Sequence, residues 1–406
     1  MENQENVKNM EKQFPLSPAA EKALQLLEES GFESYIVGGS VRDFCMHTPP
    51  HDFDITTASS PEETKKVFAQ YRVIPTGEKH GTVTVMMDGE PLEITTFRKD
   101  GDYLDGRHPE KVEFTSAIEE DLLRRDVTVN AMAYSPFRGM KDPYGGQQDL
   151  KRKMLRCVGD ADRRFHEDAL RLLRALRFAA RLCFDVEEST HEALLALAPL
   201  IEKVSRERIL TELNGLLVAK DFERIMTVYR SVIECAVPEI RSISQSDYLS
   251  ALRAMTYPDL DLSLRWAALL HPLGEEMAYQ TLKNLKAPNR LCEDASRLAG
   301  HALSPMTAQT AKVFMNRLGE GLAKKLCRLQ GVLNVIPDAD AVRAEIDRVL
   351  ESGECYTLAN LAVTGNDLKA IGVTGRDIGK TLNDLLENVM NGHLPNEKEA
   401  LLRSVH

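Results

Sequence analysis

The spacing of apolar residues changes character once along this chain, and that change limits the fold more than any other feature. Up to about residue 145, short runs dominate. Ser34 to Val37, Phe53 to Thr56, Gly81 to Met87 and Leu92 to Phe97 have the composition and spacing of strands. Between and before them, 61–69 and 19–30 carry helical spacing, with Leu24, Leu26 and Leu27 on one stripe. After Gly145-Gly146 the strand pattern disappears. From about 160 to 350 nearly every segment is helical in period, interrupted at Pro238, Pro258, Pro272 and Pro288. The expected fold is therefore α+β: a small mixed sheet with helices, then an all-helical remainder. With 406 residues the chain is too long for one ordinary core, so two to four domains are expected.

No apolar run reaches the roughly 18 residues of a membrane span. Met1 to Lys12 is polar and mixed in charge, without the apolar core of a secretion signal, which points to the cytoplasm. Seven cysteines (Cys45, Cys157, Cys183, Cys235, Cys292, Cys327 and Cys355) lie scattered with no C-x-x-C pair. Such a set fits reduced thiols better than disulfides or zinc. The net charge of −11 argues against a generally basic nucleic-acid surface. From Lys151 to Arg181, however, bases far outnumber acids, and a local basic stripe can engage phosphates.

Asp52-Phe53-Asp54 supplies two carboxylates at alternate positions of an expected strand, so both project to one face. Paired hard oxygen donors suit magnesium, which is commonly held by one or two carboxylates plus substrate phosphates. By itself D-x-D also fits a solvated strand edge or a turn after Pro49-Pro50. Upstream, a strand runs into Gly38-Gly39-Ser40, where a helix is expected to begin. Adjacent glycines let a backbone approach a phosphate, the helix start offers N–H groups, and Arg42 can add a charged contact. Glu93 opens the next strand candidate. It is either a third acidic group of a two-metal centre or an ordinary exposed strand residue.

These segments form an ordered set that resembles a known family. Gly38-Gly39-Ser40-Val41-Arg42-Asp43, Asp52-Phe53-Asp54-Ile55 and Arg124-Arg125-Asp126-Val127-Thr128-Val129-Asn130-Ala131 resemble the class II tRNA nucleotidyltransferases of the polymerase β-like superfamily. Glu167-Asp168-Ala169-Leu170-Arg171-Leu172-Leu173-Arg174-Ala175-Leu176-Arg177-Phe178 looks like that family's nucleotide-recognition helix, and Ser205-Arg206-Glu207-Arg208 like its following motif. The resemblance implies a seahorse-shaped chain. A catalytic head would span 1–148, a neck that recognises the nucleotide 149–221, a body 222–335 and a tRNA-binding tail 336–406. It further implies Mg2+ at Asp52 and Asp54, with Glu93 beside them in the catalytic set. Gly39, Arg42, Arg125, Asp168, Arg171, Arg174 and Arg177 would contact the nucleotide. The implied substrates are CTP, ATP and tRNA, the last gripped at acceptor stem and elbow. Asn130 and Asp126 are expected to be structural.

Asp168 and Arg171 stand three residues apart, which on one helix is a shared face. Cytosine and adenine each offer an amino donor beside a ring-nitrogen acceptor. Asp168 can accept from the first and Arg171 can donate to the second. Guanine and uracil present a carbonyl and a ring N–H there, leaving polar groups unpaired at roughly 1–3 kcal/mol each. One protein template would then admit C and A alone. Leu170, Leu172, Leu173, Leu176 and Phe178 are expected on the buried side, so that the arginines face elsewhere.

The polar stretch Thr96 to Pro109, with Gly101 and Gly106, looks like the family's flexible loop, which CC-only enzymes typically lack. An A-adding enzyme that works with a separate CC-adding partner would keep it. A poly(A) polymerase, which usually carries a basic C-terminal extension, is disfavoured by Asn396-Glu397-Lys398-Glu399. His271 is followed by Pro272 where the phosphohydrolase domain of some relatives needs aspartate, so no second hydrolase is expected.

Overall fold

The computed structural model describes residues 14–50, 52–75, 77–100 and 112–405. The chain folds as two compact units that divide between Ala236 and Val237.

The first unit opens with α1 (Pro18–Glu29), started by the Ser17 side chain accepting from the Ala20 amide and by Pro18 in the first turn. Then come β1 (Ser34–Val37), α2 (Gly39–Cys45), β2 (Asp54–Thr57), α3 (Pro61–Val67), β3 (Arg72–Ile74), β4 (Thr82–Met87) and β5 (Glu90–Thr96). After β6 (Arg98–Asp100) and β7 (Val112–Phe114) follow α4 (Ile118–Leu123), β8 (Ala133–Ser135) and β9 (Gly139–Lys141). Seven of these strands form one mixed sheet in the order β3-β4-β5-β2-β1-β8-β9, and β6 pairs with β7 separately. The expected strands and the helix at 61–69 are present, shifted by one or two residues at their ends.

Register decides what each face carries. Ile36 lies opposite Ile55, Ile55 beside Ile94 and Ile94 opposite Val83. All four are buried, and they form an apolar row across the sheet. One residue along, on the other face, the same pairing aligns Val37, Asp54, Glu93 and Thr84. A second core of Tyr35, Val37, Phe97, Ile118, Leu122, Ala131, Ala133 and Val158 joins α4 to the sheet.

The change near residue 145 is also observed. After α5 (Gly146–Arg152) and a short parallel pair, β10 (Met154–Leu155) with β11 (Asp185–Val186), the first unit is helical. It contains α6 (Ala161–Glu167), α7 (Leu170–Leu182), α8 (Glu188–Ala196), α9 (Arg206–Leu217), α10 (Phe222–Val228) and α11 (Arg230–Ala236). Among its described residues, the second unit consists of helices and turns. His271 sits half-buried just past the helix Leu262–Leu270, with its Nδ1 2.8 Å from the Ala268 carbonyl, a structural position. Leu361, Val363, Leu368, Leu385, Leu386 and Leu401 make a core near the C-terminal end. No described helix is long and apolar enough to cross a membrane. All seven cysteines are free thiols.

One buried charge fastens α4. Asp121, fully buried, accepts from Arg124 (2.6 and 3.1 Å), Arg125 (3.5 Å), the Thr56 hydroxyl on β2 (3.4 Å) and the Arg98 amide (3.3 Å). Burial pushes its carboxyl up, but Arg124 and Arg125 outweigh burial and hold it below the usual aspartate range. A depressed folded-state pKa stabilises above the unfolded value of about 3.9, and the contribution is lost as pH falls below it. Asp121→Ala should therefore destabilise the first unit by about 3 kcal/mol at neutral pH, since it strands two arginines. Denaturant midpoints of variant and wild type should converge as pH drops below about 4. A constant difference across that range would show that the charge is not responsible.

Candidate active site

The site is assembled at the end of the sheet where β1 stops and β2 starts. Asp54, paired with Val37 at the end of β1, lies beside Glu93 on the parallel neighbour β5. Side chains at such positions have Cβ atoms about 5 Å apart. Both are exposed, as is Asp52 just before the strand. Phe53 turns the other way, against the Phe14 ring at 6.4 Å, so the two aspartates flank an anchored residue. Asp54 has its carboxyl raised, first by desolvation and then by the charges of Glu93 and Asp52, against the opposing pull of Arg125. Like charges brought together this way call for a cation. Magnesium fits the donor set: hard oxygens, side by side and accessible. Among the described residues no three His, Cys, Asp or Glu side chains already form a closed metal cluster. The remaining ligands would be substrate phosphates and water, as is usual for this ion.

The glycine turn abuts these carboxylates. Gly38 adopts φ +75°, a conformation that glycine reaches without penalty, and a Cβ there would stand 3.2 Å from Arg125 Nη1. Gly39 begins α2, and the Ser40 hydroxyl donates to the carbonyl of Asp52, which ties the turn to the aspartate pair. Arg125 thus stands beside the turn, and its charge reaches Asp54. Among the described residues its buried Nε has no hydrogen-bond partner, and its one ion pair is the long one to Asp121. Arg42 departs from expectation. It is 3% exposed and donates to Asp43 Oδ1 (2.9 and 2.7 Å) and Asn130 Oδ1 (2.7 Å). It braces the turn from beneath and does not face outward, because two nearby acceptors satisfy the fork. Asn130 is buried and serves as an acceptor for Arg42.

The recognition segment also differs from one continuous helix. Asp168 closes α6 in extended geometry (φ −144°, ψ 104°), and α7 starts at Leu170. The shared face that i, i+3 spacing implies is therefore replaced by a cap. Asp168 Oδ1 accepts from the Leu170 amide (3.0 Å) and its carbonyl from the Arg171 amide (2.9 Å). Asp168 Oδ2 is held by Arg208 of α9 at 2.7 Å. Arg171 is buried, contrary to the expectation that the arginines avoid the apolar side. Its fork donates to Glu167 (2.8 Å) and to the carbonyls of Arg164 (3.3 Å) and Arg124 (3.0 Å), so polar partners offset its burial. Arg174 pairs with Asp126 (2.7 Å) and Arg177 with Glu212 (2.5 Å). Arg156 pairs with Asp149 (2.8 Å) and Arg164 with Glu167 (2.6 Å). Much of the basic stripe is thus neutralised internally.

Sequence reasoning missed Asp121, Arg208 and Glu212, which hold Arg125, Asp168 and Arg177 respectively. Spacing gives no hint of Arg208 and Glu212, which lie 40 and 35 residues from their partners. An acidic residue four before Arg125 was the one local signal. The loop at 96–109 lies largely outside the described residues.

Known proteins resemble this chain along most of its length. The family model described as the poly A polymerase head domain matches residues 34–156. That of a probable RNA and SrmB-binding site of polymerase A matches 183–231, and a putative tRNA nucleotidyltransferase domain 2 matches 261–405. The CCA-adding enzyme of Streptococcus mutans is 36% identical over 401 residues, covering 94% of this chain and 96% of the relative. That of Geobacillus stearothermophilus is 34% identical over 397 residues, 95% and 96% of the two chains. The crystal structure of the Bacillus stearothermophilus CCA-adding enzyme in complex with CTP superposes with a TM-score of 0.80 at 29% identity, covering 96% of this chain and 98% of that one. Identity at this level along nearly the whole of both chains, together with the motif set and the fold, means that this chain belongs to the CCA-adding enzyme family of tRNA nucleotidyltransferases.

Proposed function

We propose that this protein is a CTP(ATP):tRNA nucleotidyltransferase that adds C, C and A to the tRNA 3′ end without a nucleic-acid template. The observation that carries the reading is the meeting of Asp54, Glu93 and Asp52 with the Gly38-Gly39 turn and Arg125 at one end of the sheet. Attack by the terminal 3′-oxygen on the α-phosphorus forms the new diester and breaks the bond to pyrophosphate, while the hydroxyl proton leaves to solvent. Asp52 and Asp54 would hold Mg2+, with Glu93 completing the acidic set. Divalent ions bound there stabilise charge on the attacking and leaving oxygens, worth several kcal/mol. Arg125, with an unpartnered Nε, is poised to meet the nucleotide beside Gly39. Arg42 supports that contact from below.

Base choice is assigned to Asp168 and Arg171. Both are fixed before a nucleotide arrives, Asp168 by Arg208 and Arg171 by Glu167. Part of Arg171's five-donor fork stays available beyond its three bonds. A template fixed in this way needs little reorganisation, which favours discrimination by unpaired groups over induced fit. Arg174 and Arg177 are assigned to the triphosphate or sugar. We assign the head to 1–148, the neck to 149–221, the body to 222–335 and the tRNA-binding tail to 336–406. Free thiols throughout suit a reducing compartment, the cytoplasm.

Purified protein given tRNA lacking its three terminal nucleotides should incorporate CTP and then ATP. Incorporation of ATP alone into tRNA already ending in CC would instead identify an A-adding enzyme. Asp52→Asn and Asp54→Asn should each lower kcat by about a thousandfold while sparing tRNA binding in a gel-shift assay. Undiminished extension would remove the carboxylates from the mechanism. Asp168→Ala should reduce discrimination against GTP and UTP by about tenfold or more, and unchanged selectivity would overturn the template.

A further inference from the structure

Three guanidinium groups converge on one buried ring. The Phe178 centroid lies 4.4 Å from Arg177, 5.4 Å from Arg174 and 5.8 Å from Arg42. Each arginine has its own carboxylate: Asp43 for Arg42, Asp126 for Arg174 and Glu212 for Arg177. The third pair differs in geometry from the other two. Arg42 and Arg174 spend terminal nitrogens on their partners. Arg177 gives Glu212 its Nε, and among the described residues the two terminal nitrogens carry no hydrogen-bond partner. Its stem runs directly over Gly215 of α9, where a Cβ would stand 2.5 Å from Arg177 Cδ. Glu212 itself is 6% exposed and stands 3.8 Å from Arg174.

We propose that Glu212 is a positioning residue that sets affinity for the triphosphate independently of the base. It grips Arg177 side-on while Phe178 and Gly215 fix the stem. The two free Nη groups are left as a fork of the kind that binds a phosphate in bidentate fashion. A carboxylate on Nε also orients the fork before any anion arrives, so less side-chain entropy is lost on binding. Because CTP and ATP share the triphosphate and differ in the base, both should depend on Glu212 equally. The inference rests on the assignment of Arg177 to the nucleotide, and the test separates the two.

Steady-state extension should be measured with CTP on tRNA lacking CCA and with ATP on tRNA ending in CC. Glu212→Ala is expected to raise KM for both nucleotides by about tenfold, with kcat within about twofold and selectivity against GTP and UTP unchanged. Glu212→Gln keeps an acceptor for Nε and should recover most of the loss. Combined with Arg177→Ala, the Glu212→Ala effect should largely disappear, because the two act as a unit. If Arg177→Ala raises both KM values and Glu212→Ala only lowers the melting temperature, Glu212 is structural and the proposal fails. If Arg177→Ala itself leaves KM unchanged, the assignment of that arginine fails instead. Should Glu212→Ala not fold, Glu212→Asp, one methylene short, is expected to raise both KM values; an unchanged pair overturns the proposal.

Discussion

Two carboxylates, Asp54 and Glu93, stand side by side at one end of one sheet because strand register leaves them no alternative. The row Ile36, Ile55, Ile94, Val83 must be buried, and the next row, which contains Asp54 and Glu93, must then face away from that core. A one-residue slip of β2 would bury Asp54 and expose Ile55. The apolar core therefore fixes the acidic site, and the repulsion it creates is met by the surrounding cations. Arg125 lies close to the glycine turn, its charge opposes the rise at Asp54, and it pairs with Asp121.

The same logic extends from the sheet to α7. α7 carries bases whose charge is balanced by carboxylates reaching in from other elements: Asp126 from the segment after α4, Glu212 from α9. These pairs cross from one part of the first unit to another, so that sheet and helix are held in one electrostatic frame. Asp168 and Arg171 sit at the start of α7 within that frame. The acidic end of the sheet and the Asp168–Arg171 segment thus belong to one unit, although Asp54 and Asp168 are far apart in sequence.

The change in apolar period, the strands and the acidic pair were all legible because each follows from local spacing. The glycine turn was legible as well, since only glycine tolerates the conformation at Gly38. Arg42 and Arg171 were legible as important residues but not as buried ones, because their acceptors Asn130 and the Arg124 carbonyl are 88 and 47 residues away. The break at Asp168 was hidden for a different reason. Helical period runs through it, while the extended backbone of Asp168 ends one helix and its side chain accepts from the Leu170 amide two residues on. Glu212 gave no signal, since a lone acid inside an amphipathic helix has no local mark of its distant partner.

At the centre of this account, protein side chains alone read the base. Equilibrium binding of CTP, ATP, GTP and UTP to the RNA-free protein with magnesium tests that claim most directly. CTP and ATP should bind with comparable affinity, and GTP and UTP at least about tenfold more weakly. Equal affinity for all four would contradict a template built from Asp168 and Arg171.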